Sequence, residues 1–320
     1  MKAIAISDNH LKWEDADDPI CKNNEVIIKI KATAVNRADL AQKAGVYPAP
    51  PGASEILGLE CSGVIQEIGK DVTKRKVGDE VIALLAGGGY AEYVACPEIQ
   101  TLPLPKNINL TDGAAIPEVF ATCWLNLFME GNLKTNDKVL FHAGASGIGT
   151  AGIQLCKLFS CDSFVTAGSQ KKVDFCIDLG SKYGIVRSNS SYDDFKDICP
   201  SGFNIIIDPV GGNYFDENLN NLAVDGKLIV IGILGGSKAN INLGQLLMKR
   251  QKIIGSTIRS RSIELKGKVM DELFKNTWNH FENREIIPII YDRVPINKAE
   301  NAHDIMKKND NIGKIILEVS

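Results

Sequence analysis

The chain has 320 residues, 44% of them hydrophobic, so it is long enough for about two domains with buried cores. Its net charge is -3 with acidic and basic residues interspersed, which gives no support for nucleic-acid binding. The N-terminus lacks the regions of a signal peptide, and no apolar run reaches the roughly 18 residues of a membrane span. We therefore expect a soluble, unexported protein without a membrane partner.

The eight cysteines contain no C-x-x-C pair, and several lie within apolar runs, as buried thiols do. They occupy positions 21, 61, 96, 123, 156, 161, 176 and 199. This usage indicates a reducing, cytoplasmic setting.

The first hundred residues read as a small all-β domain. Apolar and alternating runs predict strands at Lys2–Ser7, Glu25–Val35, Leu59–Ile68, Glu80–Leu85 and Tyr90–Ala95. Between the second and third of these, Gly45–Gly52 carries three prolines, which remove backbone donors and exclude regular structure. Close spacing of short strands predicts a barrel-like sheet with one ordered loop.

Beyond Pro103 and Pro105 the pattern becomes α/β. A helix is predicted over Thr111–Gly131, capped at Thr111 or Asp112. A strand at Val139–Phe141, a helix at Thr150–Phe159 and a strand at Phe164–Ala167 then form one βαβ unit of about 30 residues.

The turn of that unit matches G-x-G-x-x-G at Gly147, Gly149 and Gly152. Its glycines allow a tight turn, close approach of the backbone to a pyrophosphate, and close packing of helix on strand. The N–H groups at the helix start then face the phosphate charge. The pattern predicts a dinucleotide site, and Ser146 inside the turn is a candidate contact.

The second strand of the unit ends in Gly168-Ser169-Gln170-Lys171-Lys172, without the Asp or Glu that binds the ribose hydroxyls of NAD. A hydroxyl and two ammonium groups suit a 2′-phosphate instead, so the sequence predicts NADPH. The alternative is that these lysines are a solvated helix start.

Further strands at Phe203–Asp208 and Lys227–Ile233 each end in glycines. In a parallel sheet the ligand lies outside the carboxyl ends of the strands, so these glycines either line a ligand or form plain turns. A helix at Glu264–Phe281, the segment Ile286–Tyr291, a helix at Asn297–Lys308 and a strand at Lys314–Val319 complete the chain. We expect this tail to pack on the first domain.

Seven motifs in this order resemble the zinc-independent quinone oxidoreductases of the medium-chain dehydrogenase/reductase superfamily. They are VNRADL (35–40), YPAPPGASEILGLECSG (47–63), KVGDEV (76–81), GGYAEY (88–93), HAGASGIG (142–149), TAGSQKK (166–172) and NIGKIILE (311–318). HAGASGIG, TAGSQKK and IRSRS (258–262) are most similar to the tumour-suppressor-inducible quinone oxidoreductase subgroup.

The resemblance implies an α/β fold with two domains. Residues 1–115 and 262–320 would form a GroES-like β-barrel catalytic domain, and residues 116–261 a Rossmann domain with a doubly wound parallel sheet. Members of the family bind NADPH in the cleft and are usually dimeric, which implies a homodimer here.

Two departures from the zinc-using relatives imply a protein without metal. Those relatives carry a catalytic Cys where this chain has Asn36, and a G-H-E where it has Gly58-Leu59-Glu60. Those relatives often have a four-cysteine structural lobe as well. Zinc sites need about three or four Cys, His or acidic ligands together, and this sequence has neither the catalytic nor the structural set. Members of the subgroup commonly have Tyr where Arg187 stands, near the adenosine phosphate.

By resemblance, Tyr47 and Asn36 are the catalytic candidates, beside the nicotinamide. The Tyr47 hydroxyl would hydrogen-bond the substrate oxygen or donate a proton. Alternatively Tyr47 is an aromatic side chain that covers the cleft, and Asn36 caps the following helix. Arg259 and Arg261 either reach the cleft or stay solvated, and His142 is expected to be a core histidine.

The predicted cofactor-binding residues are Thr122, Ala145, Ser146, Gly147, Ile148, Gly149, Gly168, Ser169, Lys172, Arg187, Asp208, Gly211, Gly232, Leu234, Ser260 and Asn311. For Thr122 the alternative is simple helix packing.

Two hypotheses about function follow. The first is an NADPH-dependent reductase that transfers hydride to a small-molecule quinone, with conjugated enones or enals as alternative substrates. Because the cofactor carries the chemistry, such an enzyme mainly positions its substrate. The second is a non-catalytic NADPH-binding protein, as in the lens zeta-crystallins of this family.

Overall fold

The computed structural model describes residues 1–187 and 194–319. The strands are β1 (Lys2–Ser7), β2 (His10–Asp15), β3 (Glu25–Ala34), β4 (Glu60–Ile68), β5 (Glu80–Leu84), β6 (Tyr93–Pro97), β7 (Thr101–Pro103), β8 (Lys138–His142), β9 (Asp162–Ala167), β10 (Tyr183–Val186), β11 (Phe203–Asp208), β12 (Leu222–Val230), β13 (Lys252–Gly255), β14 (Ile290–Pro295) and β15 (Lys314–Glu318). The α-helices are α1 (Arg37–Lys43), α2 (Leu110–Gly113), α3 (Pro117–Trp124), α4 (Gly147–Leu158), α5 (Gln170–Leu179), α6 (Asp194–Ile198), α7 (Phe215–Asn221), α8 (Leu243–Met248), α9 (Ile263–Glu282) and α10 (Ala299–Lys308).

The chain divides into two compact units. Unit 1 comprises Met1–Ala121 and Ile258–Ser320, and unit 2 comprises Thr122–Thr257. The domain boundaries predicted from the sequence are 115/116 and 261/262, and the roles predicted for the two domains stay predictions. No helix among the described residues is both long and apolar enough to cross a membrane.

Unit 2 contains a six-stranded parallel sheet in the order β10-β9-β8-β11-β12-β13. Numbered within the unit this order is 3-2-1-4-5-6, the doubly wound arrangement of dinucleotide-binding domains, and the strand order reverses between β8 and β11. Buried apolar side chains of these strands, among them Leu140, Phe164 and Ile206, form one core. The predicted Rossmann sheet is confirmed.

Close packing of α4 on β8 explains the third glycine of the fingerprint. A Cβ on Gly152 would lie 2.2 Å from the ring of Phe141, which is buried. A Cβ on Gly149 would likewise lie 2.2 Å from the carbonyl oxygen of Gly144. Side chains at these positions would push the helix off the sheet, so the βαβ unit depends on both glycines.

Unit 1 is built on a mainly antiparallel sheet in the order β14-β15-β3-β4-β5-β7, with β6 also pairing with β3. The C-terminal strand β15 pairs with β3, where Leu317 lies opposite Thr33. Apolar residues from both chain segments, including Ile28, Leu57 and Ile315, share one buried core. The barrel-like domain of short strands and its predicted final strand are confirmed.

One predicted helix is wrong in its extent and in its cap. The single helix expected over Thr111–Gly131 is interrupted: α2 is one turn, Pro117 begins α3, and a π-helix follows at Leu125–Glu130. The cap of α2 is neither Thr111 nor Asp112 but Asn109, whose side chain accepts a hydrogen bond from the Asp112 N–H. Proline at the first position of a helix fixes a new start, which the apolar periodicity hides.

Candidate functional site

The start of α4 presents backbone donors. Ser146 caps the helix, because its hydroxyl oxygen accepts the Gly149 N–H at 3.2 Å and its carbonyl accepts the Thr150 N–H at 2.9 Å. The N–H groups of Gly147 and Ile148 lie in the first turn, where no intrahelical carbonyl is available to accept them. Together with the dipole of a 12-residue helix they can bind an anion. Ala145, directly before the cap, is buried.

The carboxyl end of β9 brings together Gly168, Ser169 and Arg187. Arg187 donates its backbone N–H to Ala167, and its Nη2 would lie 4.0 Å from a Cβ on Gly168. Ser169 stands at the N-cap of α5, and its side chain makes no capping bond within the described chain. Lys172 lies one turn further, half-buried, with its N–H bonded to the Ser169 carbonyl. NAD-binding sites carry an acid at this strand end, which would repel a 2′-phosphate. Here the strand end has cationic side chains and a hydroxyl instead.

Asp208 shapes the turn after β11. Its buried carboxylate accepts the N–H groups of Val210 at 2.7 Å and Gly211 at 3.0 Å, and the side-chain amide of Asn218 at 3.0 Å. Burial raises the pKa of Asp208, while these three donors stabilise its charged form. The geometry gives Asp208 a structural role in holding this turn, and its predicted cofactor contact stays a prediction.

His142 joins this network as a neutral side chain. Its Nε2 lies 2.6 Å from the Asn218 oxygen, which can only accept, so Nε2 donates. Its Nδ1 then accepts from the Thr166 hydroxyl at 3.0 Å. Burial lowers the pKa of His142 to about 4. Both ring nitrogens are satisfied, in agreement with a core histidine.

The loops after β11 and β12 pack on each other. A Cβ on Gly232 would lie 2.7 Å from the Pro209 carbonyl oxygen, and that oxygen accepts the Leu234 N–H at 3.2 Å. The Leu234 side chain is exposed.

Thr122 is buried in α3, and its carbonyl accepts a hydrogen bond from the Asn126 side-chain amide.

In unit 1, Asn36 lies in a buried polar cluster. Its Nδ2 donates to Glu60 at 2.8 Å, and its Oδ1 accepts from the Lys314 Nζ at 2.5 Å. Lys314 also forms an ion pair with Glu60 at 2.7 Å, and both side chains are at most 4% exposed. Nδ2 also donates to the Ala34 carbonyl at 3.3 Å, so the Asn36 amide is held by three partners. It also occupies the N-cap position of α1, as the alternative hypothesis proposed.

A second group adjoins the start of α1. The Asp39 carboxylate accepts the N–H groups of Asn36 and Gly58, at 2.7 and 3.1 Å, and the Tyr90 hydroxyl at 3.3 Å. Burial raises the pKa of Asp39 to about 6 despite these bonds. His303 lies 3.1 Å from the same hydroxyl, and burial lowers its pKa to about 4.

Tyr47 lies in the proline-rich loop after α1, half-buried. The guanidinium carbon of Arg259 stands 5.3 Å from the centre of its ring. Burial raises the pKa of Tyr47, so the phenol keeps its proton at neutral pH. Arg259 is itself buried and donates to the carbonyls of Ala86 and Tyr47 and to Gln42. It therefore fixes this loop, and neither arrangement expected for Arg259 from the sequence describes that role.

The remaining candidates of unit 1 are Ser260 and Asn311. Ser260 is exposed, and the Asn311 amide donates to the Gly313 carbonyl at 2.7 Å. Across the described residues, no group of three or more His, Cys, Asp or Glu side chains is placed to hold a metal ion.

Sequence reasoning missed Lys314, Glu60 and Asp39, which are buried at the start of α1. One signal was available: Lys314 is a charged residue that opens an apolar strand. A buried lysine requires an acid, but nothing in the sequence points to Glu60 as that acid.

Two family models match the chain. The description "Alcohol dehydrogenase GroES-like domain" matches residues 22–106, and "Zinc-binding dehydrogenase" matches residues 147–275. The first confirms the GroES-like part of the predicted fold class.

Curated relatives match over most of the chain. A synaptic vesicle membrane protein VAT-1 homolog of Danio rerio is 29% identical over 316 residues, 93% of this chain and 65% of the relative's own length. A quinone oxidoreductase of Sus scrofa is 28% identical over 307 residues, 95% of this chain and 92% of that protein.

Solved structures share the fold. The crystal structure of an NAD-dependent alcohol dehydrogenase superposes with a TM-score of 0.87 at 26% identity, over all of both chains. A Pseudomonas syringae quinone oxidoreductase gives a TM-score of 0.87 at 24% identity over 99% of each chain, which is a likeness of fold alone.

The Lys314–Glu60 pair should dominate the stability of unit 1. Replacing Lys314 by Met leaves Glu60 buried and uncompensated, so we expect a loss of about 3–5 kcal/mol in the free energy of unfolding. Urea denaturation measures it. The double variant Lys314→Met, Glu60→Leu should recover only part of the loss, because both charges are then gone but the Asn36 amide and the Val35 carbonyl lose their partners. A single variant as stable as the wild type would show that the pair has no such role.

Proposed function

Since this chain belongs to the medium-chain dehydrogenase/reductase superfamily, we propose that it is an NADPH-dependent oxidoreductase that reduces quinones without a metal. The observation that carries the proposal is the end of β9, where a serine and cations replace the acid typical of NAD sites. Similarity to quinone oxidoreductases at 28% identity supports the substrate class. We also propose that the chain belongs to the tumour-suppressor-inducible quinone oxidoreductase subgroup.

The residues of unit 2 fit the dinucleotide. The free N–H groups at the start of α4 would bind the pyrophosphate, and no side chain at Gly147 or Gly149 obstructs its approach. Ser169, Lys172 and Arg187 would form charge-assisted hydrogen bonds with the 2′-phosphate. When bound, the cofactor supplies a hydride.

Tyr47 is proposed to act on the substrate oxygen. Its phenol is protonated, since burial raises its pKa, and is therefore a hydrogen-bond donor at neutral pH. Charge that builds on a quinone oxygen during reduction would be stabilised by such a donor. Arg259 holds the loop by the Tyr47 carbonyl and the Gln42 side chain, which keeps the phenol in place.

Asn36 is proposed to contribute by position. Its amide is bonded to Glu60 and Lys314, and its N–H to Asp39, which fixes the first turn of α1. The last turn of that helix accepts the Tyr47 N–H through Ala41. Asn36 thus supports the segment that carries the phenol.

We also propose a homodimer in a reducing, cytoplasmic compartment. Helix α8 exposes Leu243, Leu247 and Met248, each by at least 66%, and these large apolar side chains suit an interface. All eight cysteines are free thiols, seven of them buried, as in proteins of reducing compartments.

A spectrophotometric assay tests the activity. Purified protein should oxidise NADPH in the presence of a benzoquinone or naphthoquinone, at a rate unchanged by prior dialysis against a chelator. Turnover of an enone panel but not of quinones would move the assignment to enone reduction. NADPH binding without any turnover would favour the non-catalytic hypothesis, and loss of activity on metal removal would contradict the metal-free reaction.

Tyr47→Phe should lower quinone turnover by about 10- to 1,000-fold, because a positioned hydrogen-bond donor or acid is removed. NADPH affinity should remain nearly unchanged. Tyr291→Phe is a matched control, since Tyr291 is an exposed phenol of the same unit. Rates within twofold of wild type for several quinones would mean that Tyr47 only covers the site.

Lys172→Ala should weaken NADPH binding by about ten- to a hundredfold and leave NADH almost unchanged, because one charge-assisted hydrogen bond contributes about 1.5–3 kcal/mol. Arg187→Ala should act in the same direction. Lys171→Ala, an exposed neighbour in the same turn, is the control. Equal affinities of the wild type for NADPH and NADH, measured by fluorescence titration, would disprove the phosphate site.

A further inference from the structure

Two buried cations of unit 1 have no acidic partner among the residues that the structure describes. Arg259 is 3% exposed and Lys266 is 4% exposed. Arg259 donates only to neutral acceptors, on Ala86, Tyr47 and Gln42. The Lys266 Nζ has a single long hydrogen bond, at 3.4 Å, to the Arg259 carbonyl. Within the described ranges 1–187 and 194–319, neither cation has a carboxylate oxygen within 4 Å.

This arrangement is electrostatically incomplete. Removing an ammonium group from water is unfavourable unless an opposite charge and hydrogen bonds replace the water. The two cations also repel each other, and burial together with Arg259 lowers the pKa of Lys266. By contrast, Lys314 in the same unit is equally buried but has Glu60 as its acid.

A cavity of about 550 Å³ adjoins both cations, within the size range of small-molecule sites. Gln100 also lines it, and the Gln100 Oε1 is buried without a hydrogen-bond partner in the described part of the chain. Apolar side chains of Ile56 and Leu85 form other parts of the wall. Two acids, Asp17 and Glu25, also line the cavity, and Glu25 has its own cation in Lys22 at 3.7 Å. The cavity therefore combines an excess of basic over acidic side chains, one unused acceptor and an apolar surface.

The start of α9 adds to the positive potential. Ser262 caps this 20-residue helix through the Leu265 N–H, and Ser262 and Ile263 line the same cavity. The N-terminal end of a helix carries a partial positive charge within its first turn. No acidic side chain of the first turn of α9 lines the cavity, and Lys266 follows in the next turn.

We propose that this cavity binds a small organic acid, with its carboxylate between Lys266 and Arg259 and its apolar chain against Ile56 and Leu85. The ligand supplies the carboxylate that Lys266 and Arg259 lack among the described residues. A hydroxyl group on the ligand would find an acceptor in the Gln100 Oε1. Ser260, a predicted cofactor contact, also lines this cavity, but the proposal does not rest on the proposed activity.

Hexanoate and its uncharged analogue hexanamide are the probes. In a buffer free of carboxylates, calorimetric titration of the full chain should give hexanoate an affinity about ten- to a hundredfold higher than hexanamide, the effect of one charge-assisted hydrogen bond. Equal affinities, or no binding of hexanoate, would overturn the proposal.

Substitutions of lysines in α9 test where the carboxylate binds. Lys266→Met should reduce hexanoate affinity to the level of hexanamide, while Lys266→Arg retains most of it. Lys268→Met, which removes an exposed lysine of the same helix, should behave as the wild type. Each variant is judged by the shift that hexanoate causes in its own melting temperature, so a change in stability alone does not mimic the result. Unchanged hexanoate binding by Lys266→Met would overturn the proposal.

Discussion

Unit 1 depends on one buried ammonium group. The Lys314 Nζ donates to the Val35 carbonyl, the Asn36 side chain and Glu60, and so joins the C-terminal strand to β4 and to the start of α1. These residues lie far apart in the sequence, and burial makes their mutual satisfaction obligatory. The first turn of α1 is fixed by this ion, and the loop that carries Tyr47 follows directly from that helix.

In the described part of unit 2, the buried polar groups at the strand ends are satisfied without a buried ion pair. Neutral His142 and Asn218 connect Thr166 to the Asp208 carboxylate, and backbone N–H groups complete the shell of Asp208. The polar groups at the ends of β8, β9 and β11 are thus satisfied internally. The N–H groups at the start of α4, by contrast, have no intrahelical acceptor and are available to bind an anion. Such available donors are typical of a ligand site.

The sequence predicted the parallel sheet, the fingerprint helix and the short-strand domain, because period and glycine spacing are local properties. It missed the break at Pro117, since an apolar face continues across it, and it missed the partnership of Lys314 with Glu60, which only tertiary structure creates. The role of Arg259 was equally hidden. A sequence shows that an arginine is present, but not that it will be buried and donate hydrogen bonds to three neutral acceptors.

The buried cations described in unit 1 are therefore of two kinds, which differ in whether a carboxylate lies beside them. Lys314 has an acid at 2.7 Å, so its charge is balanced within the fold and its role is structural. Lys266 and Arg259 have neutral acceptors beside a cavity, so in our proposal a ligand that enters the cavity balances their charge. A fold tolerates such a deficit at some expense in stability, and sites where charge remains unbalanced are typically those that bind ligands. Charge balance, more than residue type, separates a structural lysine from one poised to bind an anion.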